Sequence, residues 1–392
     1  MLVELHIIQN FAPANLNRDD TGSPKDCEFG GYRRARISSQ CLKRAMRVMF
    51  RNDERLQSGE RAIRTKRLVE EVGRRLASKG WNETEAKDAV KVALSSVKVR
   101  VDENTNKTEY LLYLGEQEID AIVAACDRHR ETLIRRAEEM REQFAGASQS
   151  RRDAKRDAQK DVPKEVGDAI RAALNGGRAV DLALFGRMLA DLPVRNIDAA
   201  AQVAHAISTH EVTTDFDYYT AVDDLKPDDT AGADMIGTVE FNSACFYRYA
   251  NVNVDQLISN LNKDSDLARK AITAFMHACI EAVPTGKQNS FAAHNPPSFV
   301  FSVVRERKTW SLANAFVRPA RPDGMGDLIQ NSIRALDHYW QGLVGMYGKS
   351  DIQNRCVMTQ EPDALTALKD FQVKNIDQLI KKTVDKTFKK GS

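Results

Sequence analysis

The chain has 392 residues, and its 58 lysines and arginines nearly balance its 55 aspartates and glutamates, which leaves a formal net charge of +3. This balance excludes a protein coated in positive charge, so any binding of anions has to be local. The charged fraction of 29%, together with the lack of any apolar run of about 18 residues, indicates a soluble protein rather than a membrane protein. The first residues, MLVELHIIQNF, contain no basic segment followed by an apolar one, so we expect no signal peptide and a cytoplasmic location.

The first fifty residues predict a strand, a loop and a helix in that order. Apolar and polar residues alternate in VELHI (3–7), which is the period of a half-buried strand. Residues 10–37 are interrupted by five prolines and glycines and predict a long loop. A helix then begins at Ser38 or Ser39, because serine is a favourable N-cap residue.

The stretch RRARISSQCLKRAMR (33–47) holds six basic residues and no acidic one. Apolar side chains recur at helical spacing from Leu42 to Phe50 and predict one buried stripe. The opposite side of the helix carries a polar, cationic row: Gln40, Lys43, Arg44 and Arg47. Arginine forks, lysines and the free N–H groups of a serine-capped helix start suit phosphates, although a lone basic helix is more often a solvated face. Upstream, Arg18 and Lys25 lie on a Gly-rich loop whose backbone could approach a ligand closely.

Helix-forming residues predominate from about residue 60 to residue 175 and predict an inserted helical subdomain, with Asn82 as one of its N-caps. Within this region, SRRDAKRDAQKDVPK (150–164) holds six basic and three acidic residues. It is either a solvated linker or an accessory patch for nucleic acid.

The remainder of the chain predicts a mixture of strands and helices. Residues 238–254 and 298–306 alternate and are rich in strand formers, which predicts two strands. Helices are predicted at three ranges: 255–282, 324–346 and 363–388. The acidic segment between residues 208 and 238 predicts a protruding hairpin or a long loop, because it has turn residues but little apolar content to pack.

Signals for catalysis or metal binding are weak. Pairs of adjacent aspartates at 19–20, 223–224 and 228–229 are more simply explained by turns, since neighbours on a strand point to opposite faces. No histidine pair has the HExxH spacing of a zinc site, and the six cysteines have no CxxC spacing, so reduced thiols are expected. Lys287, in the turn TGKQNS, could still touch a backbone phosphate. We therefore expect neither a cofactor nor a metal.

Four regions of the chain carry a resemblance to a known family. They are LNRDDTGSPKDCEFGGYRRARISSQCLKRAMR (16–47), AHAISTHEV with DYYTAVDDL (204–225), FNSACFYRYANVNVDQL (241–257) and VPTGKQNSFAAHNP (283–296). They resemble the repeated backbone subunit of the type I-E CRISPR surveillance complex, Cascade. The resemblance extends over nearly the whole chain and is weakest at residues 51–180 and 226–237.

The resemblance implies an α+β fold shaped like a right hand. Its palm would be a modified RRM-like, ferredoxin-type sheet with helices behind it, its fingers an inserted helical subdomain and its thumb a protruding β-hairpin. The implied palm covers residues 1–55, 181–202 and 239–392, the last range including the C-terminal helices. The fingers would cover residues 56–180 and the thumb residues 203–238. No aromatic string of the ordinary RRM is present, so base stacking on the sheet is not predicted.

The resemblance also implies guide-RNA contacts, carried over to these positions: Arg18, Lys25, Ser38, Gln40, Lys43 and Arg47. Arg44, in the same row, and Lys287 are further candidates. Met188, in FGRM, matches a position where the family inserts an apolar wedge beside a displaced nucleotide, and a core methionine is the alternative. Val212 is a candidate thumb residue that would help to kink the RNA. Contacts to phosphate and 2′-OH groups hold RNA without reading its sequence, as a variable guide requires.

The function implied is binding without catalysis. Several copies would polymerise along one CRISPR guide RNA through head-to-tail contacts and present it for pairing with a target DNA strand in antiviral defence. Further partners would be other Cascade subunits and a recruited effector. A basic patch at the tip of the fingers would capture incoming DNA: Arg151, Arg152, Lys155, Arg156 and Lys160.

Two other functions remain open. Related backbone subunits of type III complexes cut target RNA with a loop aspartate, so a metal-dependent ribonuclease could use Asp217, Asp223 or Asp224. A generic binder of single-stranded RNA acting alone would instead need aromatic platforms in its groove.

Overall fold

A computed structural model of the chain describes residues 1–102, 104–145, 162–189, 192–221 and 235–388. The basic patch expected at residues 151–160 lies outside these ranges, as do Asp223 and Asp224. None of the described helices combines the length and apolar composition that crossing a membrane requires.

The strands in the described ranges are numbered in chain order: β1 Leu2–Ala14, β2 Asp26–Phe29, β3 Tyr32–Ile37, β4 Ala62–Thr65, β5 Leu112–Gly115, β6 Ala201–Val203, β7 Ala206–Ser208, β8 Asp215–Ala221, β9 Met235–Asn253, β10 Phe299–Arg305 and β11 Ile352–Thr359. The helices are α1 Ser39–Phe50, α2 Leu68–Ala77, α3 Glu83–Ser95, α4 Glu116–Arg128, α5 Arg130–Ala145, α6 Lys164–Ala173, α7 Val180–Phe185, α8 Val254–Asn260, α9 Ser265–Glu281, α10 Gln288–Phe291, α11 Leu328–Tyr347 and α12 Ile376–Thr387.

The chain divides into two compact units. The first comprises Met1–Asp53, Ala201–Asp255 and Ile272–Ser392, and the second comprises Glu54–Ala200 and Gln256–Ala271. A mixed α+β fold with an antiparallel sheet is therefore confirmed, while the RRM-like topology stays a prediction.

The first unit is built on a large antiparallel sheet with the strand order β11-β10-β1-β9-β7-β3-β2. β1 lies between β9 and β10 and pairs with β9 from Leu2 opposite Asn253 to Ala14 opposite Asn242. The start of β9 extends beyond β1 and pairs with β8, so that Asp215 lies opposite Phe241 and Ala221 opposite Met235. These two strands form the arms of a hairpin in the segment expected to be the thumb. β6 and β7 also pair with β9.

Helices cover both faces of this sheet. On one face, Phe301 of β10 packs against Trp340 of α11. On the other face, the hydroxyl of Ser302 lies 2.7 Å from that of Thr383 in α12. Successive residues of a strand point to opposite faces, and both faces are covered here, so β10 is buried throughout. Residues 3–9 of β1 are buried in the same way, so the expectation that VELHI is half-buried is wrong.

A second correction concerns residues 10–37, which are not one long loop. β1 continues to Ala14, and β2 and β3 form a hairpin whose two-residue turn is Gly30–Gly31. Both glycines have positive φ, +65° and +81°, as a tight hairpin turn requires. The dipeptide Gly-Gly between two short, charged strands is therefore a hairpin signal rather than a loop signal.

The helix predictions need smaller corrections. The range 255–282 forms α8 and α9, which are separated where Asn262 and Lys263 adopt positive φ. The range 363–388 contains 3-10 turns before α12, which begins only after the N-cap Asn375. The strands at 238–254 and 298–306 are confirmed, with small shifts at their ends.

The second unit is mainly helical, as its composition predicts. Helices α2 to α6 surround an apolar core that includes Leu76, Trp81, Ile119 and Ile170, and the two-stranded sheet β4–β5 packs beside it. Asn82 caps α3 as predicted, because its Oδ1 accepts hydrogen bonds from the N–H groups of Thr84 and Glu85.

Candidate nucleic-acid interface

The basic helix predicted in the N-terminal region is α1. Ser38 is its N-cap, and the Ser38 Oγ accepts a hydrogen bond of 3.2 Å from the Cys41 N–H. The Ser38 N–H in turn donates to Asn17 Oδ1 at 2.7 Å. Ser38 is only 7% exposed, so the main role of its hydroxyl is to cap α1.

The two sides of α1 differ as the spacing predicts. Four apolar side chains are buried: Leu42, Ala45, Met46 and Phe50. On the other side Gln40 and Arg44 are exposed, and Lys43 and Arg47 are partly exposed. The helix therefore packs with one side and presents a polar, cationic row with the other.

The loop that carries Arg18 and Lys25 is held against the start of α1. The Asn17 carbonyl accepts a hydrogen bond of 2.9 Å from the Lys25 N–H, while the Asn17 side chain accepts the Ser38 N–H. Asp19 closes the exposed tip, because its Oδ1 accepts the Thr21 hydroxyl and the N–H groups of Thr21 and Ser23. These bonds, that of the Thr21 hydroxyl above all, lower the pKa of Asp19. The adjacent aspartates thus belong to a turn, as the sequence suggests.

An open cleft of about 560 Å³ lies between this loop, α1 and the segment before α10. Arg18 and Arg44 line it, together with Val283–Gly286. Gly286 makes the close packing possible, since a Cβ there would lie 2.4 Å from the Leu16 carbonyl oxygen. Lys287 follows directly, partly exposed and with a φ of +51°. The structure therefore brings Arg18, Arg44 and the Lys287 turn together.

The pKa of His205 is affected by the positive charges of Lys25 and Lys43, two further candidate residues. The exposed ring lies beside Arg36, whose Nη1 is 3.1 Å from His205 Nδ1. The pKa of His205 is lowered by partial burial first, and then by the positive charges of Arg36, Lys25 and Lys43. These three cations act on one surface position, and the positive charge that they bring there favours a bound anion. We call Arg18, Lys25, Arg36, Lys43 and Arg44 the cationic surface.

Not every basic residue of the 33–47 stretch can serve a ligand. Arg34 is fully buried, and its guanidinium donates to the carbonyls of Phe316 at 2.7 Å and Ser208 at 3.2 Å. Arg33 forms an ion pair with Asp26. The β2–β3 hairpin therefore brings an acid, Asp26, beside a stretch that contains none in its own sequence.

Met188, in the second unit, is 82% exposed, whereas the flanking Arg187 and Leu189 are 5% and 2% exposed. A core methionine is thereby excluded, and the side chain is available as an apolar contact. Val212 differs, because it is 8% exposed and its N–H donates to the Arg33 carbonyl. As placed, its side chain packs inside the unit and offers no surface to RNA.

The hairpin β8–β9 presents exposed side chains of two kinds. Phe216 and Tyr218 are 69% and 62% exposed, and Asp215 and Asp217, which alternate with them along β8, are exposed as well. No cluster of three or more metal-ligating side chains occurs in the described ranges. The six cysteines all lie in the described ranges and form no disulfide there.

The sequence did not reveal two groups of residues. Arg36 and His205 meet only because β3 pairs with β7, and they are 169 positions apart. Likewise, no local pattern indicates that Arg187 forms a buried ion pair with Glu118 beneath Met188.

The model of the CT1975-like protein family matches residues 3–385. The chain belongs to this family. Among solved structures it is similar to a chain of a CRISPR RNA-guided surveillance complex in a pre-nicking state, with 33% identity and a TM-score of 0.83 over 99% of this chain and 100% of that one. A chain of another CRISPR RNA-guided surveillance complex is 28% identical, with a TM-score of 0.72 over 98% and 99% of the two chains. A comparison with curated proteins finds no match. The resemblance to CRISPR surveillance-complex subunits is confirmed.

Proposed function

We propose that this chain is a non-catalytic backbone subunit of a Cascade-type complex and that its cationic surface holds the CRISPR guide RNA. The observation that carries this proposal is the local concentration of positive charge around α1 in a chain whose net charge is only +3. The full-length similarity to chains of RNA-guided surveillance complexes supports the same ligand.

The chemistry of the surface suits a guide of variable sequence. Lysine and arginine side chains bind phosphates, and such contacts hold RNA in position without discriminating between bases. At the centre of the sheet, the aromatic side chains of His6, Tyr247 and Phe301 stack in the interior and offer no platform for bases. Sequence discrimination then rests on base pairing between guide and target DNA strand.

Polymerisation belongs to the same proposal. A head-to-tail interface between identical subunits generates an open helical filament when its rotation does not close, which is the geometry needed to cover a linear guide. The β8–β9 hairpin presents the exposed aromatic side chains Phe216 and Tyr218 for contact with a neighbouring copy.

The test is co-expression of the chain with a CRISPR array and candidate partner subunits of a Cascade-type complex, followed by sequencing of the co-purified RNA. Wild type should yield uniform, repeat-flanked guides, and Lys43→Ala/Arg44→Ala should lose them. Lys381→Ala/Lys382→Ala, on the exposed side of α12, is the charge-matched control and should retain them. Random or absent RNA with wild type would contradict the proposal.

Catalysis is tested separately with Asp217, the described member of the aspartates considered for a ribonuclease. We expect the assembled complex to leave a complementary RNA intact in the presence of Mg²⁺. Cleavage that stops with EDTA and with Asp217→Ala would establish the ribonuclease instead.

A further inference from the structure

The segment that follows β10 lies across one face of the large sheet. We call its residues 306–312, ERKTWSL, the strap. The strap begins beside β11, where the Glu306 N–H donates to the Asp351 carbonyl at 3.0 Å, and it ends at Leu312, which is fully buried in the core. In between, Lys308 has a φ of +51°, which is unfavourable for a residue with a side chain. The strap is therefore held closed against some backbone strain.

Side chains of the sheet hold the strap in this position. The Trp310 N–H donates to Glu4 Oε2 at 2.7 Å, and the Leu312 N–H donates to the Tyr247 hydroxyl at 2.9 Å. The Trp310 ring lies over the guanidinium of Arg305, whose Cζ is 3.5 Å from the ring centroid. One of these hydrogen bonds depends on a carboxyl group, and a carboxyl group can gain or lose a proton.

Glu4 is fully buried, and its two carboxyl oxygens have unequal surroundings. Oε2 also accepts the Tyr249 hydroxyl at 2.8 Å, whereas Oε1 has no hydrogen-bond partner among the described residues. Arg305 places its Nε 3.7 Å from Oε1, but its shorter ion pair, at 2.9 Å, is with Asp351. A neutral carboxyl group is favoured here, because an unsolvated charge costs far more free energy than an unsolvated dipole. Burial accordingly raises the pKa of Glu4 to about 7, against the opposing effects of its hydrogen bonds and of Arg305.

Other ionisable groups surround Glu4. His6 lies two positions along β1 on the same face, fully buried against Tyr249 and Phe301, whose ring centroids are 5.1 and 5.4 Å from its own, and burial lowers its pKa to about 3. Of these two side chains of β1, only Glu4 therefore changes its protonation near neutral pH. Further ionisable groups around the strap are Tyr247 and Tyr249 on β9, Arg305 on β10, Asp351 before β11, Tyr347 on α11 and the exposed Glu306, Arg307 and Lys308 of the strap itself.

We propose that the strap is a proton-controlled latch, which stays closed over the sheet while Glu4 is protonated and opens more readily once Glu4 is ionised. When the strap lifts at Trp310, water reaches Oε1 and solvates the carboxylate, so ionisation and opening favour each other. The strain at Lys308 is released by the same movement. Acidification closes the latch, and a rise in pH loosens it. The latch needs no bound RNA, so it stands or falls independently of the proposed function.

The test is hydrogen–deuterium exchange of the full chain from pH 5 to pH 8, measured by mass spectrometry as the protection factor of a peptide that covers the strap. The protection factor corrects for the effect of pH on exchange itself. With a Glu4 pKa of about 7 in the closed strap and its ordinary value of 4.5 in the open one, opening should increase about 40-fold from pH 5 to pH 7 and only about twofold more by pH 8. The protection factor of wild type should fall to match, and that of Glu4→Gln, which cannot ionise, should stay level.

The matched control is Glu306→Gln, the same chemical change on the strap itself, where the exposed carboxylate accepts a hydrogen bond of 2.8 Å from Gln353. It should keep the pH dependence of wild type. Tyr249→Phe removes a donor that favours the ionised form of Glu4, so its fall in protection should move to higher pH, which tests the latch even if Glu4→Gln does not fold. A level wild-type profile, or an unchanged fall in Glu4→Gln, would overturn the inference. So would an equal fall in peptides of β1 and β10, because the whole unit would then be opening.

Discussion

The salt dependence of RNA binding gives the sharpest test of the cationic surface. The perturbation is Lys25→Ala/Lys43→Ala/Arg44→Ala in the full chain. Lys25 and Lys43 both act on His205, and Arg44 lines the cleft beside α1, so the three cations sample both parts of the surface. If each neutralises one phosphate, each releases a counterion from the RNA when it binds.

The expected magnitude follows from that count. For single strands the slope of log K against log salt is about −0.7 per neutralised phosphate, so losing three contacts should make the slope shallower by about 2. Between about 50 and 200 mM KCl, a fourfold change, the salt-induced loss of affinity should then shrink by about 20-fold. The change should be equal for RNAs of unrelated sequence, because phosphates carry no base identity.

The assay is fluorescence anisotropy of a labelled single-stranded RNA titrated with the full chain at several KCl concentrations. Arg34→Met is the control. It removes a cation from the same stretch, but the Arg34 guanidinium is buried and donates to the carbonyls of Ser208 and Phe316. It should lower the free energy of unfolding by about 3 kcal/mol, through two stranded carbonyls, and leave the slope as in wild type. An unchanged slope in the triple variant, or an equal change in Arg34→Met, would refute the assignment.

Two further predictions concern buried groups of the first unit. Burial lowers the pKa of His6 to about 3, so acidification from pH 7 to pH 5 protonates His6 mainly in the unfolded chain and destabilises the fold by about 2 kcal/mol. Burial raises the pKa of Glu4 to about 7, so the same acidification protonates Glu4 mainly in the folded chain and stabilises it by about 2 kcal/mol. On acidification from pH 7 to pH 5, the free energy of unfolding of His6→Phe should therefore rise relative to wild type, and that of Glu4→Gln should fall. Urea unfolding at both pH values measures these differences. Parallel pH profiles of stability in all three proteins would contradict the shifted pKa values of His6 and Glu4. Gly30→Ala should lower the melting temperature more than Gly31→Ala. Both glycines have positive φ, but only a Cβ at Gly30 would meet a neighbour, the Val317 carbonyl oxygen at 2.4 Å. Equal melting temperatures of the two variants would show that the contact with Val317 relaxes freely.

Local signals predict α1 well because every determinant lies within the helix and its cap. The serine N-cap, the apolar stripe and the cationic row all depend on residues that follow one another at three or four positions, and the structure has each of them. The β2–β3 hairpin was missed for the opposite reason. Its strands, DCEF and YRRARI, carry charge on both faces, and only the Gly-Gly turn indicates that they pair.

Burial of charged side chains could not be predicted from sequence because their partners are distant. Arg34 is indistinguishable from its neighbours in composition, yet its acceptors at Ser208 and Phe316 are 174 and 282 positions away. Glu4 and His6 have the alternation of a half-buried strand, but they are covered by contacts with Trp310 and Tyr247. The period of a strand shows which side chains share a face and says nothing about whether a later segment covers that face.

The near-neutral composition and the proposed RNA binding are reconciled by where the charges lie. In the second unit, acidic side chains form ion pairs with basic residues of the same unit. Arg75, for example, pairs with Glu71, Glu116 and Asp120. In the first unit, Lys25, Arg36 and Lys43 all oppose protonation of His205. The positive field is thus a product of folding, because β3, β7 and the start of α1 have to meet before it exists. If the chain holds RNA through the cationic surface, as we propose, its affinity should respond to a few substitutions around α1 and hardly at all to equal changes of net charge elsewhere.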